Sequence, residues 1–188
     1  MSDMKLKNLR VAILVSDDFE QAEMEEPRQA LAEAGAKTSV IAPTAGNVQA
    51  MNHDDKTHKV PVDMTLEEAK PEDFDAVLLP GGALNADFLR MEAKAQKFVQ
   101  NFDRAKKPIA FICHAPWLLI SAGLVEGRTL SGYHTIQDDI RNAGGKWKDE
   151  GVVRDGNWVS SRQPTDIPAF NREMIALFSE RKARAKSA

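Results

Sequence analysis

Pro108-Ile109-Ala110-Phe111-Ile112-Cys113-His114-Ala115-Pro116 decides the reading of this chain. Apolar residues in an unbroken run after Pro108 read as a strand buried on both faces, the pattern of a parallel sheet covered by helices. The run ends on Cys113-His114, with small Ala115 leaving room for a tight turn and Pro116 suited to the start of a helix. A nucleophile at such a strand-to-helix turn is held exposed. The partial positive charge of the following helix end would lower the thiol pKa and favour thiolate. A lone cysteine is otherwise most often a small buried hydrophobe. The elbow and the adjacent histidine turn the reading toward chemistry.

Outward from this stretch, short apolar runs alternate with helical spacing. Val11–Val15, Thr38–Ala42, Ala76–Leu79 and Pro108–Ile112 read as strands. Helices are expected from Pro27 to Gly35, from Ala93 to Ala105, from Pro116 to Ala122 and from Pro168 to Arg181. Residues 44–61 are polar and turn-rich, a hairpin or an exposed loop. Asp155-Gly156-Asn157 between Val152-Val153 and Trp158-Val159 is a hairpin signal. The fold class expected is α/β, a flavodoxin-like three-layer sandwich with a mainly parallel central sheet and helices on both faces. With no linker or repeat, residues 1–188 are expected to form one domain. In such sheets ligands bind beyond the carboxyl ends of the strands, where strand order reverses.

Two further strand ends carry candidate chemistry. After Ala76–Leu79 comes Pro80-Gly81-Gly82, where paired glycines allow close backbone approach and free amides for an oxyanion hole, with the His114 amide as partner; the plain alternative is a glycine turn. No dinucleotide or phosphate-loop motif occurs there. After Val11–Val15, six carboxylates lie between Asp17 and Glu26. Crowding and burial raise a carboxyl pKa, and Glu20 and Glu23 are the expected inward pair. The others decorate a helix amino end.

Composition narrows the classes. Of 188 residues, 43% are hydrophobic and 28% charged, and the formal net charge is −3. Neither nucleic-acid nor membrane binding is expected from that balance, and no run approaches the roughly 20 apolar residues of a membrane span. The basic tail from Arg181 to Lys186 reads as a solvated helix end. A single cysteine forms no internal disulfide, and the apolar run after Lys5, Lys7 and Arg10 is too short for a signal core, so a cytoplasmic protein is expected. His53 and His58 lack a third ligand, and no metal or cofactor is expected. Trp117, Trp147 and Trp158 read as core or interface anchors.

Taken in order, these segments resemble the ThiJ/PfpI family, the superfamily of the PfpI-type intracellular proteases and the Parkinson-associated deglycase, over a core of about residues 9–178. The matching motifs are Phe19-Glu20-x-x-Glu23, Leu78-Leu79-Pro80-Gly81-Gly82 and Ile112-Cys113-His114-x-Pro116. Ile120-Ser121-Ala122-Gly123, the stretch from Asp138 to Gly144 and the stretch from Val152 to Arg162 look like the PfpI branch. The resemblance implies Cys113 as nucleophile, Glu23 as a protonated carboxyl bonded to its sulfur, and Glu20 in the same pocket. It implies His114 as general base, although side chains adjacent at an elbow tend to diverge. Its orienting acid would come from a neighbouring subunit, with Asp87 as the candidate. Gly81 and Gly82 line the pocket, Gly82 and His114 supplying oxyanion donors, and Tyr133 matches a pocket tyrosine; His134 stands where proline is expected. The implied activity is on reactive carbonyls, glycated proteins or peptides, as a glutathione-independent glyoxalase, deglycase or cysteine peptidase in stress defence, in a homodimer or higher oligomer. The competing readings are a redox-sensing or chaperone-like protein using the same cysteine without turnover and, on architecture alone, a flavin or nucleotide binder.

Overall fold

The computed structural model describes residues 4–187; the side chains of Lys182 and of residues 184–187, and with them most of the basic tail, lie outside the description. Strand β1 (Arg10–Leu14) runs through a turn into β2 (Phe19–Glu20) and helix α1 (Gln21–Glu33). Next come β3 (Lys37–Ala42), the hairpin of β4 (Asn47–Asn52) and β5 (Asp55–Pro61), and β6 (Met64–Thr65). Strand β7 (Ala76–Leu79) leads to α2 (Ala83–Met91) and α3 (Ala93–Arg104), and β8 (Ile109–Ile112) to α4 (Pro116–Ser121). The chain closes with β9 (Thr129–Leu130), α5 (Gln137–Asn142), β10 (Lys146–Trp147), β11 (Val152–Asp155), β12 (Trp158–Ser161) and α6 (Ile167–Ser187).

The main sheet has seven strands in the order β11-β12-β8-β7-β1-β3-β6. Every neighbouring pair is parallel except β11 against β12. Side chains alternate across it, as the pleat requires. Val11 and Ile13 face one core with Leu31 of α1 and Phe170, Met174 and Phe178 of α6. Ala12 and Leu14 face a second with Phe98, Val99 and Phe102 of α3 and Leu118 of α4. Both faces being covered explains why the strands read as unbroken apolar runs. Each fully buried side chain of this size contributes about 1.5–3 kcal/mol. This is the flavodoxin-like α/β sandwich expected from the sequence.

One local expectation differs, and one open alternative is settled. Helix α1 starts at Gln21 and carries Pro27 in its interior rather than at its start. The ring removes the amide that would bond the main-chain carbonyl of Glu23, but Met24, Pro27 and Leu31 bury one face and hold the helix. The polar stretch 44–61 forms the β4–β5 hairpin, which joins β2 in a separate three-stranded sheet. The β11–β12 hairpin is as read, with Asp155 opposite Trp158 and Gly156 at φ +59°. Trp158 is buried edge-on to Phe111 at 5.3 Å, with the Arg128 guanidinium 3.9 Å from its ring. Trp117 and Trp147 are half-buried against the second core.

Strand order reverses between β1 and β7. The chain steps from β1 outward to β3, then returns to lay β7 on the other side of β1. The segments leaving β1, β7, β8 and β12 therefore gather at one end of the sheet.

Candidate active site

Cys113 stands at the end of β8 with φ +63°. That left-handed conformation costs an L-residue about 1–2 kcal/mol, so the surroundings must impose it. Its N–H donates to the Ser161 carbonyl at 3.1 Å, and its carbonyl accepts the Tyr133 N–H at 2.8 Å. Ala115 N–H closes the turn onto the Ile112 carbonyl at 3.1 Å. The elbow is thus pinned between β12 and the Tyr133 segment. The side chain, with the residue 7% exposed, forms part of the wall of a cleft of about 630 Å³. Glu20, Glu23, Gly82, His114 and Tyr133 share that wall.

Glu23, in the first turn of α1, is fully buried beneath the sulfur. Neither carboxyl oxygen has a hydrogen-bond partner of good geometry; the Cys113 thiol and the Gly81 amide are the groups close enough to act on it. Burial raises its pKa from 4.5 to about 8, and the nearby Glu20 charge adds to the rise. Glu23 is therefore protonated at neutral pH and can donate. Gly81 makes this approach possible. A Cβ there would overlap the Glu23 carboxyl, lie 2.6 Å from Cys113 Cβ and 2.9 Å from the Ile112 carbonyl. We expect Gly81→Ala to cost about 1–3 kcal/mol, lowering the melting temperature by roughly 3–10 °C and shifting Glu23 from the sulfur. A melt within 1 °C of wild type would contradict this packing.

Gly82 has φ +92°, and its Cβ would meet the Asp18 carbonyl at 2.7 Å and the Glu20 nitrogen at 2.8 Å. This frees its N–H to face the sulfur, where the His114 N–H joins it. The thiol itself departs from the sequence expectation. Burial pushes its pKa up, and charge on Glu23 would push it further; the two amides oppose that rise. Helix α4 is only six residues long and begins at Pro116, so desolvation outweighs its end charge.

His114 does reach its neighbour: its Nδ1 lies 3.2 Å from Cys113 Sγ. Its ring is held between Tyr133 at 4.8 Å and Trp117 at 5.2 Å, and Tyr133 in turn contacts His134 at 4.4 Å. Burial first, and His134 second, lower the His114 pKa. A neutral imidazole can accept the thiol proton.

Asp87 is exposed on α2, and among the described residues neither a hydrogen bond nor an ion pair joins it to His114. Sequence reasoning passed over Asn85, which is fully buried. Its Nδ2 donates to the carbonyls of Pro80 at 3.1 Å and Gly81 at 2.9 Å, and its Oδ1 accepts the Ser16 N–H at 2.7 Å. It ties the glycine turn to the end of β1. An amide one helical turn beyond Gly81 was the available signal. His58 pairs with Glu25 at 2.6 Å and His53 occupies the β4–β5 turn, so the two do different jobs. Among the described residues no cluster of metal-ligating side chains occurs, and no helix is long and apolar enough to cross a membrane.

A flavodoxin-like sandwich with a thiol on a strained strand-to-helix turn, over a buried neutral carboxyl, defines a class of cysteine-elbow α/β proteins. Residues 9–177 match the DJ-1/PfpI family model, and the chain belongs to that family. It is 39% identical over 169 residues to deglycase TK1284 of Thermococcus kodakarensis, covering 90% of this chain and 99% of that protein. It is also 39% identical to YraA of Bacillus subtilis, named there as a candidate cysteine protease, covering 89% and 97% of the two. Among solved structures, a two-domain protein from Anabaena variabilis with DJ-1/ThiJ/PfpI-like and ferritin-like domains superposes with a TM-score of 0.85 at 31% identity, covering 90% of this chain and 48% of that one. Relatives named in this way make the chain a member of an enzyme family.

Proposed function

We propose that this protein is a cytoplasmic, cysteine-dependent enzyme of one domain that acts on reactive carbonyls or glycated protein, as a glutathione-independent glyoxalase or deglycase in stress defence. The observation that carries the reading is the convergence on Cys113 Sγ of the His114 ring, the Glu23 carboxyl and two main-chain amides. In the proposed step the sulfur attacks an electrophilic carbonyl carbon while the thiol proton passes to His114 Nδ1. The carbonyl π electrons move onto oxygen, which the Gly82 and His114 amides stabilise. That oxygen then takes a proton from His114 or Glu23, leaving a hemithioacetal or its nitrogen-bearing analogue.

The test is a substrate panel of dicarbonyls, glycated amino acids and peptides. Dicarbonyl loss or deglycation supports the proposal, and cleavage of peptides alone would replace it with a peptidase. Selective oxidation of Cys113 by mild peroxide without any turnover would favour redox sensing, which a recessed sulfur beside donor groups also suits.

We further propose a homodimer or higher oligomer. Leu84, Phe88 and Met91 of α2 are 54%, 61% and 80% exposed. Their spacing puts them on one stripe with Asp87, so a partner copy covering the stripe would receive that carboxylate. Phe88→Glu is expected to convert the assembly to monomer in light scattering after gel filtration. An unchanged mass would remove α2 from the interface.

A further inference from the structure

We propose that the Cys113 cleft selects by charge: it favours carbonyl adducts that keep an ammonium or guanidinium group, as on lysine- and arginine-rich peptide, over aldehydes bearing a carboxylate. The inference deepens the carbonyl-enzyme reading and rests on it. Asp18, Glu20 and Asp54 line the cleft, and its lining contains neither lysine nor arginine. Among the described residues no ion pair engages any of the three carboxylates. Among the described residues Glu20 Oε2 accepts only an uncharged main-chain N–H, that of residue His53, at 3.1 Å. Asp18 sits at φ +62°, and its Oδ1 is buried without a donor. Glu23, fully buried and also unpartnered, opens onto the same space and supplies no positive charge to offset them. The remaining titratable groups on the wall are the Cys113 thiol, the Tyr133 phenol and the imidazoles of His53 and His114, with His134 beyond Tyr133.

Walls of low dielectric around charge of one sign focus its field into the cavity. A cation entering this cleft meets carboxylates that no protein cation has neutralised. An anion meets the same field with opposite sign, although the reacting atom beneath is identical. Asp18 and Asp54 are therefore specificity-determining residues, flanking the sulfur from the β1 turn and from the β4–β5 turn.

The only cysteine can report this directly. Second-order rates of Cys113 modification would be measured with cationic, neutral and anionic methanethiosulfonates, each normalised to a free thiol. The cationic reagent is expected to react about tenfold or more faster than the anionic one at low ionic strength. That ratio should shrink toward unity at high salt. Asp18→Asn with Asp54→Asn should reduce it by about fivefold; Asp54→Asn alone, on an exposed turn, serves if the double variant does not fold. A normalised ratio within twofold of unity, or one the substitutions leave unchanged, overturns the proposal. The reagents read the field whether or not the protein turns over any carbonyl. A charge preference without turnover therefore indicts the enzymatic reading, and turnover without a charge preference indicts this one.

Discussion

Cys113→Ala is expected to abolish carbonyl turnover, by at least about 10³-fold, while leaving circular dichroism unchanged and the melting temperature within a few degrees. The asymmetry follows from where the residue sits. Its side chain is small and belongs to the cleft wall, so deleting one sulfur forfeits about 1 kcal/mol of packing. Its backbone carries the strain, at φ +63°, and alanine keeps that strain. Cys113→Gly should therefore melt at or above Cys113→Ala, since glycine occupies this region freely. Retained turnover in either variant would exclude a covalent route through the sulfur. A large loss of helix signal would mean instead that the thiol is structural.

Glu23→Gln is expected to act in two separable ways. Turnover should fall by about 10²–10⁴-fold, the range for loss of a positioned proton donor. The amide keeps the shape of the carboxyl and can still donate a hydrogen bond, but its N–H is far too weakly acidic to hand a proton to sulfur or substrate. Stability should move in the opposite direction. The Glu23 pKa is raised in the folded state from 4.5 to about 8. Between those values the unfolded chain releases a proton that the folded one keeps, so wild-type stability declines as pH climbs through this window. The burden is absent below about pH 4.5 and complete above about pH 8, reaching several kcal/mol at roughly 1.4 kcal/mol per pKa unit. Glutamine removes it, and denaturant melts at pH 5, 6.5 and 8 should show a flatter profile for the variant. Parallel profiles for the two proteins would mean that Glu23 is ionised in its pocket.

Much of this arrangement was legible in the residues. The apolar runs at Val11–Val15, Ala76–Leu79 and Pro108–Ile112 announce strands covered on both sides, and such strands place their trailing residues at one end of the sheet. Cys113, Glu23 and Gly81-Gly82 could be paired on that ground before any coordinates. What stayed hidden depends on balance or on contact across the chain. Proline at 27 signals a helix start locally, but burial of Met24 and Leu31 carries α1 through it. The thiol pKa depends on whether desolvation or a short helix end prevails, which needs burial and helix length. The His114 contact depends on the ring being held by Tyr133 and Trp117, both remote from any local rule. Asn85 offers in sequence only its place one helical turn beyond Gly81, because a buried amide looks like any exposed one.

The β4–β5 arm lends the cleft Met51, His53 and Asp54 while belonging to a sheet apart from the one that carries Cys113. Recognition and reactivity are consequently mounted on different scaffolds. Descendants can lengthen, shorten or rewrite that arm and drift toward new clients while the thiol keeps its posture, and an engineer can exchange the arm for the same reason.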